Sequence, residues 1–190
     1  MKILLHICCG PCATYPFKVL KEAGHQVDGF FYNPNIQPYR EYLRREEAVR
    51  SYAEQSGDRV IISPDYDFQE FLRAVVFREK IRCRFCYYQR LKKTAFAARR
   101  GGYDAFTTTL LISKQQKHEL AQKVAEEVAA EVGVKFFYQD FREGWKEHWA
   151  LTEKYNLYKQ QYCGCIYSEY ERYRGMTKTE CRRSGFRRNE

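Results

Sequence analysis

A short apolar run, Ile3-Leu4-Leu5, leads directly into His6-Ile7-Cys8-Cys9-Gly10-Pro11-Cys12-Ala13-Thr14. The order is strand, tight loop, then an amphipathic segment with Thr14 as its expected N-cap, so the chain begins with a β-to-α connection. In nucleotide-binding α/β folds that connection carries glycines that cradle phosphate. Here it carries three cysteines. A helix N-terminus lowers a thiol's pKa, and a thiolate is the softest ligand a protein owns. The loop is suited to a metal.

The rest of the chain repeats the alternation. Phe17, Leu20 and Ala23 recur at helical spacing and Gly24 ends that helix. Residues 27–32 read as a second strand, running into Asn33-Pro34-Asn35-Ile36-Gln37-Pro38, whose prolines continue neither element. Residues 39–55 read as a helix with Tyr42, Val49, Tyr52 and Ala53 on one side and Glu41 and Arg45 paired on its exposed face. A third strand spans 60–63, a helix 67–76, a basic loop 79–86 and a helix 87–99. A fourth strand spans 105–111; Ser113 is expected to cap a helix carrying Leu120, Val124, Val128 and Val132. A fifth strand is expected at 134–138 and an aromatic-rich helix at 145–158.

This pattern predicts a single α/β domain over 1–190: a parallel five-stranded sheet with helices on both faces, plus a C-terminal helical and basic extension from about residue 141. In open parallel sheets ligands bind at the carboxyl ends of the strands. Cys8, Cys9 and Cys12 follow the first strand, Asn33 and Asn35 the second, Ser113 the fourth and Asp140 the fifth, so all are expected on one rim.

No apolar run approaches the roughly 20 residues of a membrane-spanning helix, and the N-terminus has no signal-peptide pattern. A cytoplasmic protein is expected. Eight cysteines in such a compartment argue for metal or redox chemistry over disulfides. Seven fall in tight groups: Cys8, Cys9 and Cys12; Cys83 and Cys86; Cys163 and Cys165. Cys181 stands alone and suits a buried free thiol. A redox dithiol at Cys83–Cys86 would leave five idle, and one tetrahedral zinc needs only four. Seven match four ligands for a [4Fe–4S] cluster with three for a second metal. Because neighbouring side chains point apart, Cys8–Cys9 and Cys163–Cys165 are each expected to divide between two centres. His6, alone in an apolar strand, reads as a hydrogen-bonded core residue.

The net charge is +9, and residues 172–188 hold seven basic side chains against one acid, Glu180. A polyanion, nucleic acid before membrane, is the partner such an excess favours. Tyrosine is frequent, at 16 residues, which suits base stacking.

Six motifs in order then match a known family over nearly the whole chain. They are His6-Ile7-Cys8-Cys9-Gly10-Pro11-Cys12, Phe31-Tyr32-Asn33-Pro34-Asn35-Ile36, Cys83-Arg84-Phe85-Cys86-Tyr87, Thr107-Thr108-Thr109-Leu110-Leu111-Ile112-Ser113, Tyr138-Gln139-Asp140-Phe141-Arg142 and Tyr162-Cys163-Gly164-Cys165. With these the chain resembles the QueH family of epoxyqueuosine reductases. It departs at Lys114-Gln115-Gln116-Lys117-His118, where the family carries a Pro-Tyr pair after the serine.

The resemblance implies removal of the epoxide oxygen from epoxyqueuosine at the tRNA wobble position, giving queuosine and water. It implies a nucleotide α-hydrolase-like fold, a [4Fe–4S] cluster and a nearby mononuclear iron held by Cys8, Cys9, Cys12, Cys83, Cys86, Cys163 and Cys165, and no cobalamin. No use of ATP is expected, since Cys-Cys-Gly-Pro-Cys replaces the pyrophosphate loop of related tRNA-modifying enzymes. Two electrons require an external donor such as ferredoxin, flavodoxin or a flavoprotein reductase. Asp140 is a candidate proton donor or iron ligand. Candidate substrate contacts are Tyr32, Asn33, Asn35, Tyr39, Tyr87, Ser113, Arg142, Tyr162, Arg182, Arg183, Arg187 and Arg188. The competing expectations are a non-catalytic RNA-binding module with structural zinc and an iron–sulfur tRNA thiolation enzyme.

Overall fold

The computed structural model describes residues 1–176. Cys181 and the tail arginines Arg182, Arg183, Arg187 and Arg188 lie outside the described residues. Five parallel strands form one sheet: β1 (Lys2–Ile7), β2 (Gln26–Phe31), β3 (Val60–Ile62), β4 (Ala105–Thr108) and β5 (Lys135–Phe136), in the order β3-β2-β1-β4-β5. The helices are α1 (Gly10–Glu22), α2 (Tyr39–Ser56), α3 (Phe68–Val75), α4 (Arg82–Arg100), α5 (His118–Val132), α6 (Trp145–Lys154) and α7 (Ile166–Tyr173). Short 3-10 turns cover Glu79–Ile81, Thr109–Ile112 and Phe141–Gly144.

β1 is central and buried on both sides, with Ile3, Leu4, Leu5 and Ile7 at 0% exposure and His6 the one buried polar residue in it, as expected of a parallel strand covered twice. α1 packs on α2 and α6, while α4 packs on α3 and α5. The chain steps outward from β1 to β3 and then crosses back to β4, so right-handed crossovers put these two helix groups on opposite faces. The strand order reverses between β1 and β4, which opens a crevice at their carboxyl ends.

Several boundaries differ from those read in the sequence. α1 begins at Gly10, with Cys9 as its extended N-cap, and Thr14 lies inside it, donating to the Pro11 carbonyl at 2.9 Å. Pro11 falls in the first turn, where a missing N–H costs nothing. α4 likewise starts at Arg82, so Cys83 and Cys86 sit on a helix rather than in a basic loop. β4 stops at Thr108, whose hydroxyl accepts from the Leu110 amide and turns the chain into a 3-10 segment. Ser113 caps no helix; its Oγ accepts from the Gln115 amide at 3.2 Å, and α5 starts at His118. β5 is shorter than expected, and α6 ends at Lys154. The largest departure concerns Glu41 and Arg45: the pair forms, but buried, at 6% and 2% exposure.

Candidate metal centre

β1 delivers Cys8 and Cys9 to the crevice, and the first turn of α1 delivers Cys12. Their sulfurs all lie within 4.8 Å of one another. The expectation that Cys8 and Cys9 point apart does not hold: their sulfurs are 3.8 Å from each other. Both lie in the connection between Ile7, the end of β1, and Gly10, the start of α1, with Cys9 at φ −170° and ψ 163°, so the usual divergence of strand neighbours is lost. Thiolates bound to one tetrahedral metal at about 2.3 Å would lie about 3.8 Å apart. The three thiols can therefore hold a metal while leaving a position open.

Gly10 makes that geometry possible. A Cβ there would lie 2.6 Å from the Ala48 carbonyl oxygen, backbone of α2. Gly10→Ala is expected to cost about 1–3 kcal/mol through overpacking and to weaken metal retention by displacing the loop. Chemical denaturation and metal analysis of the variant check both; an unchanged midpoint would mean that α1 and α2 separate freely.

The hydroxyl of Thr109, in the turn after β4, accepts from the Cys8 amide at 3.0 Å and donates to Cys8 Sγ at 3.3 Å. Bonds from Cys12, Cys9 and Thr109 bring the Cys8 thiol well below its ordinary range despite burial. Burial raises Cys9, and the neighbouring Cys8 and Cys9 sulfurs raise Cys12. Cys8 thus ionises first. His6 underlies the group, fully buried, with Nδ1 2.9 Å from Thr108 Oγ1 and Nε2 3.3 Å from the Tyr32 carbonyl. Burial, then Arg90, lower its pKa to about 3, so it is neutral.

The other four thiols come from two further segments; among the described residues, Cys8, Cys9 and Cys12 are the cluster whose sulfurs converge as a metal site would need. Cys83 and Cys86 lie on the first two turns of α4, and Cys163 and Cys165 on the loop before α7. Burial pushes the Cys86 thiol up to about 12, with Cys163, Cys165 and Cys83 close enough to add to the effect. Burial also raises Cys163. All seven are free thiols.

Two buried guanidinium groups stand between the two sets. Arg90, at 1% exposure, feels the thiols of Cys86, Cys163 and Cys8, and donates to the Asn33 side-chain oxygen at 3.2 Å. Arg45 donates to Glu41 at 2.7 Å and to the carbonyls of Cys163 and Tyr162, each at 2.9 Å. Each set also receives one glutamine amide. Gln160 Nε2 lies 2.9 Å from Cys9 Sγ, and Gln116 Nε2 lies 3.1 Å from Cys163 Sγ. N–H groups aimed at thiolates and buried positive charge both favour the ionised, ligating form. None of Arg45, Arg90, Thr109, Gln116 or Gln160 was a candidate site residue from the sequence: Arg45 was read only as an exposed partner of Glu41, and Thr109 only as part of a family motif. Gln116 lies in the loop that departs from the family pattern, the one signal that marked it.

The remaining candidates divide by exposure. Tyr32 is buried and its hydroxyl donates to Asp67 at 2.7 Å; Tyr87 is buried and donates to Gln116 at 2.8 Å. Asn33 donates to the Ile7 carbonyl at 2.8 Å, bracing β1 where the cysteines begin. Asn35 is fully buried, with neither end of its amide hydrogen-bonded. Tyr162 is half-buried and donates to the Gln37 carbonyl at 2.6 Å. Tyr39 is 56% exposed, stacked 5.8 Å from Tyr42.

Asp140 caps the turn Phe141–Gly144 and is gripped by the guanidinium of Arg142, with Nε at 2.8 Å. That bond lowers its carboxyl to about 2. The stabilisation is present above the unfolded value of about 3.9 and is lost as pH falls toward the folded value. Between pH 5 and 8 Asp140 carries no proton to give. Asp140→Asn is expected to leave both limbs of the pH–activity profile in that interval unmoved; loss of a limb would show that the carboxyl titrates there.

The chain is similar to known proteins. The family profile described as Epoxyqueuosine reductase QueH matches residues 3–171. An Epoxyqueuosine reductase QueH of Dehalococcoides mccartyi is 43% identical over 172 residues, covering 90% of this chain and 94% of that protein. Another, of Histophilus somni, is 33% identical over 180 residues, covering 88% and 72%. A crystal structure described as a predicted subunit of tRNA methyltransferase from Methanocaldococcus jannaschii shares the fold, with TM-score 0.54 at 11% identity over 80% of this chain and 76% of that one.

Proposed function

Because the chain belongs to the QueH family of epoxyqueuosine reductases, we propose that it reduces epoxyqueuosine to queuosine at the wobble position of tRNA in the cytoplasm. The observation that carries the proposal is the convergence of the Cys8, Cys9 and Cys12 sulfurs, all within 4.8 Å of one another, at the crevice between β1 and β4. Cys8, Cys9 and Cys12 would hold a mononuclear iron, and Cys83, Cys86, Cys163 and Cys165 a [4Fe–4S] cluster. When bound, these supply Lewis acidity toward an epoxide oxygen and electrons passed singly.

The protein's own groups do the rest. Arg45 and Arg90 offset the charge of seven thiolates that would otherwise repel one another. Gln160 and Gln116 fix sulfur orientation through their amide N–H groups. Asn35, buried with an unused amide, is available to a hydroxyl or amine of the nucleoside. Tyr32, Asn33, Tyr87, Ser113, Arg142 and Tyr162 would line the same rim. With Asp140 ionised, the two protons come from water or a tyrosine. The wobble nucleotide must leave the anticodon stack, and exposed Tyr39 offers it a ring.

Among the described residues no helix is long and apolar enough to cross a membrane. Arg182, Arg183, Arg187 and Arg188 would contact phosphates. Neutralising all four is expected to reduce the slope of log affinity for tRNA against log salt by about 3, with iron content unchanged; iron loss instead would place metal and RNA roles together.

Anaerobic purification tests the chemistry. The expected protein is brown and contains iron and acid-labile sulfide. A colourless, zinc-loaded protein without sulfide would instead establish the structural-zinc RNA-binding module.

A further inference from the structure

Residues 76–81 join α3 to α4 and are largely exposed. Phe77 is 94% exposed, with Val76 and Ile81 beside it in the chain at 42% and 54%. Phe77 is held at φ 61°, a left-handed backbone that a bulky residue rarely adopts. Its amide donates to Glu79 Oε1 at 3.0 Å, and the Arg78 amide to the Val75 carbonyl at 2.9 Å, which fixes the tip. A strained apolar side chain facing solvent contributes nothing to the core, and such outliers gather where function needs them.

The charge around it has one sign. Residues 73–84 hold five basic side chains against one acid, Glu79. Arg82 and Arg84 are paired with Glu171 and Glu127, whereas Arg73, Arg78 and Lys80 are exposed and form no ion pair among the described residues. α4 begins at Arg82, so this tip adjoins Cys83, which is half-buried, and Cys86.

We propose that Phe77 and its basic surround are the docking site of a small acidic protein that carries single electrons, seated over the four-thiol group. The proposal rests on the reductase reading. Two carrier molecules are oxidised by one electron each per turnover, while the epoxide takes up two electrons and two protons and becomes the alkene and water. An apolar centre ringed by unpaired positive charge has the layout of a protein interface and complements an acidic partner. RNA contacts pair arginine with several exposed stacking rings; here Phe77 stands out at 94% exposure, and the nearby Phe85 is half-buried with Arg78 5.5 Å from its ring centroid. The sequence after residue 176 is itself basic and does not complement the patch.

The test uses the reconstituted holoprotein, reduced plant-type ferredoxin as the carrier, and the variant Phe77→Ser/Arg78→Glu/Lys80→Glu. Reduction by ferredoxin, followed by stopped flow, should slow about tenfold at low ionic strength, with the gap closing as salt rises. Reduction by dithionite and affinity for tRNA should match the wild type. A second variant, Phe77→Gly, relieves the backbone at φ 61° and should hold or raise Tm while still weakening ferredoxin binding, which excludes a folding defect. An unchanged ferredoxin rate overturns the proposal, as does lost tRNA affinity with an unchanged rate, which would make the patch an RNA surface. Ferredoxin titration reads docking without turnover. Failure of the wild type to convert epoxyqueuosine with dithionite would therefore count against the reductase reading alone.

Discussion

Arg45→Met is expected to destabilise the protein by about 3–5 kcal/mol, the cost of stripping one partner from a buried ion pair. Arg45 is 2% exposed and makes three charge-assisted bonds, to Glu41 and to the carbonyls of Tyr162 and Cys163. Burial disfavours its charge, but Glu41 and the thiols of Cys9 and Cys163 more than offset this. Removing the guanidinium leaves Glu41 buried, satisfied only by the Tyr158 hydroxyl at 2.7 Å, and leaves two carbonyls short of a donor. Those carbonyls belong to the loop that carries Cys163, so thiol access should change with stability. Denaturant titration and alkylation of Cys163 in the variant check both. Adding Glu41→Leu should recover part of the loss, because no lone charge remains, while the orphaned carbonyls still cost about 1–3 kcal/mol. A single variant as stable as the wild type would mean that Arg45 is solvated in solution.

The second large effect separates the two thiol groups. Cys12→Ser leaves two sulfurs where three converge, and a hydroxyl is a poor ligand for soft iron. It should lower turnover by more than about a hundredfold and remove the iron that is not accompanied by sulfide, while sulfide content and visible absorbance stay. Cys86→Ser should do the reverse to the spectrum, bleaching the absorbance with acid-labile sulfide. Paired iron and sulfide analysis of the two variants decides the partition. Loss of sulfide from both would mean one shared centre.

Much of the fold was legible because strand and helix periodicities alternate without interruption from Ile3 to Val134. The convergence of Cys8, Cys9 and Cys12 was legible because the cysteines cluster, one group of three and two of two. The errors share a cause. Cys8 and Cys9 were expected to diverge, but the strand ends before them at Ile7 and α1 begins at Gly10, a register that Pro11 signalled and Thr14 obscured. Cys83 and Cys86 looked loop-like because arginines surround them, yet Arg82 opens α4. Glu41 and Arg45 have the spacing of a solvated pair. Their burial comes from a loop more than a hundred residues on, as with Arg45 and Cys163, separated by 118 positions. Gln160 and Gln116 were hidden likewise, since local spacing says nothing about which sulfur an amide will meet.

The most direct measurement is single-turnover reduction of epoxyqueuosine-containing tRNA by anaerobically reconstituted protein with dithionite, followed by nuclease digestion and mass spectrometry. The expected product is queuosine, lighter by one oxygen atom, formed by the wild type and not by Cys12→Ser. Unchanged epoxyqueuosine with iron and sulfide both in place, or equal conversion by Cys12→Ser, would contradict the account.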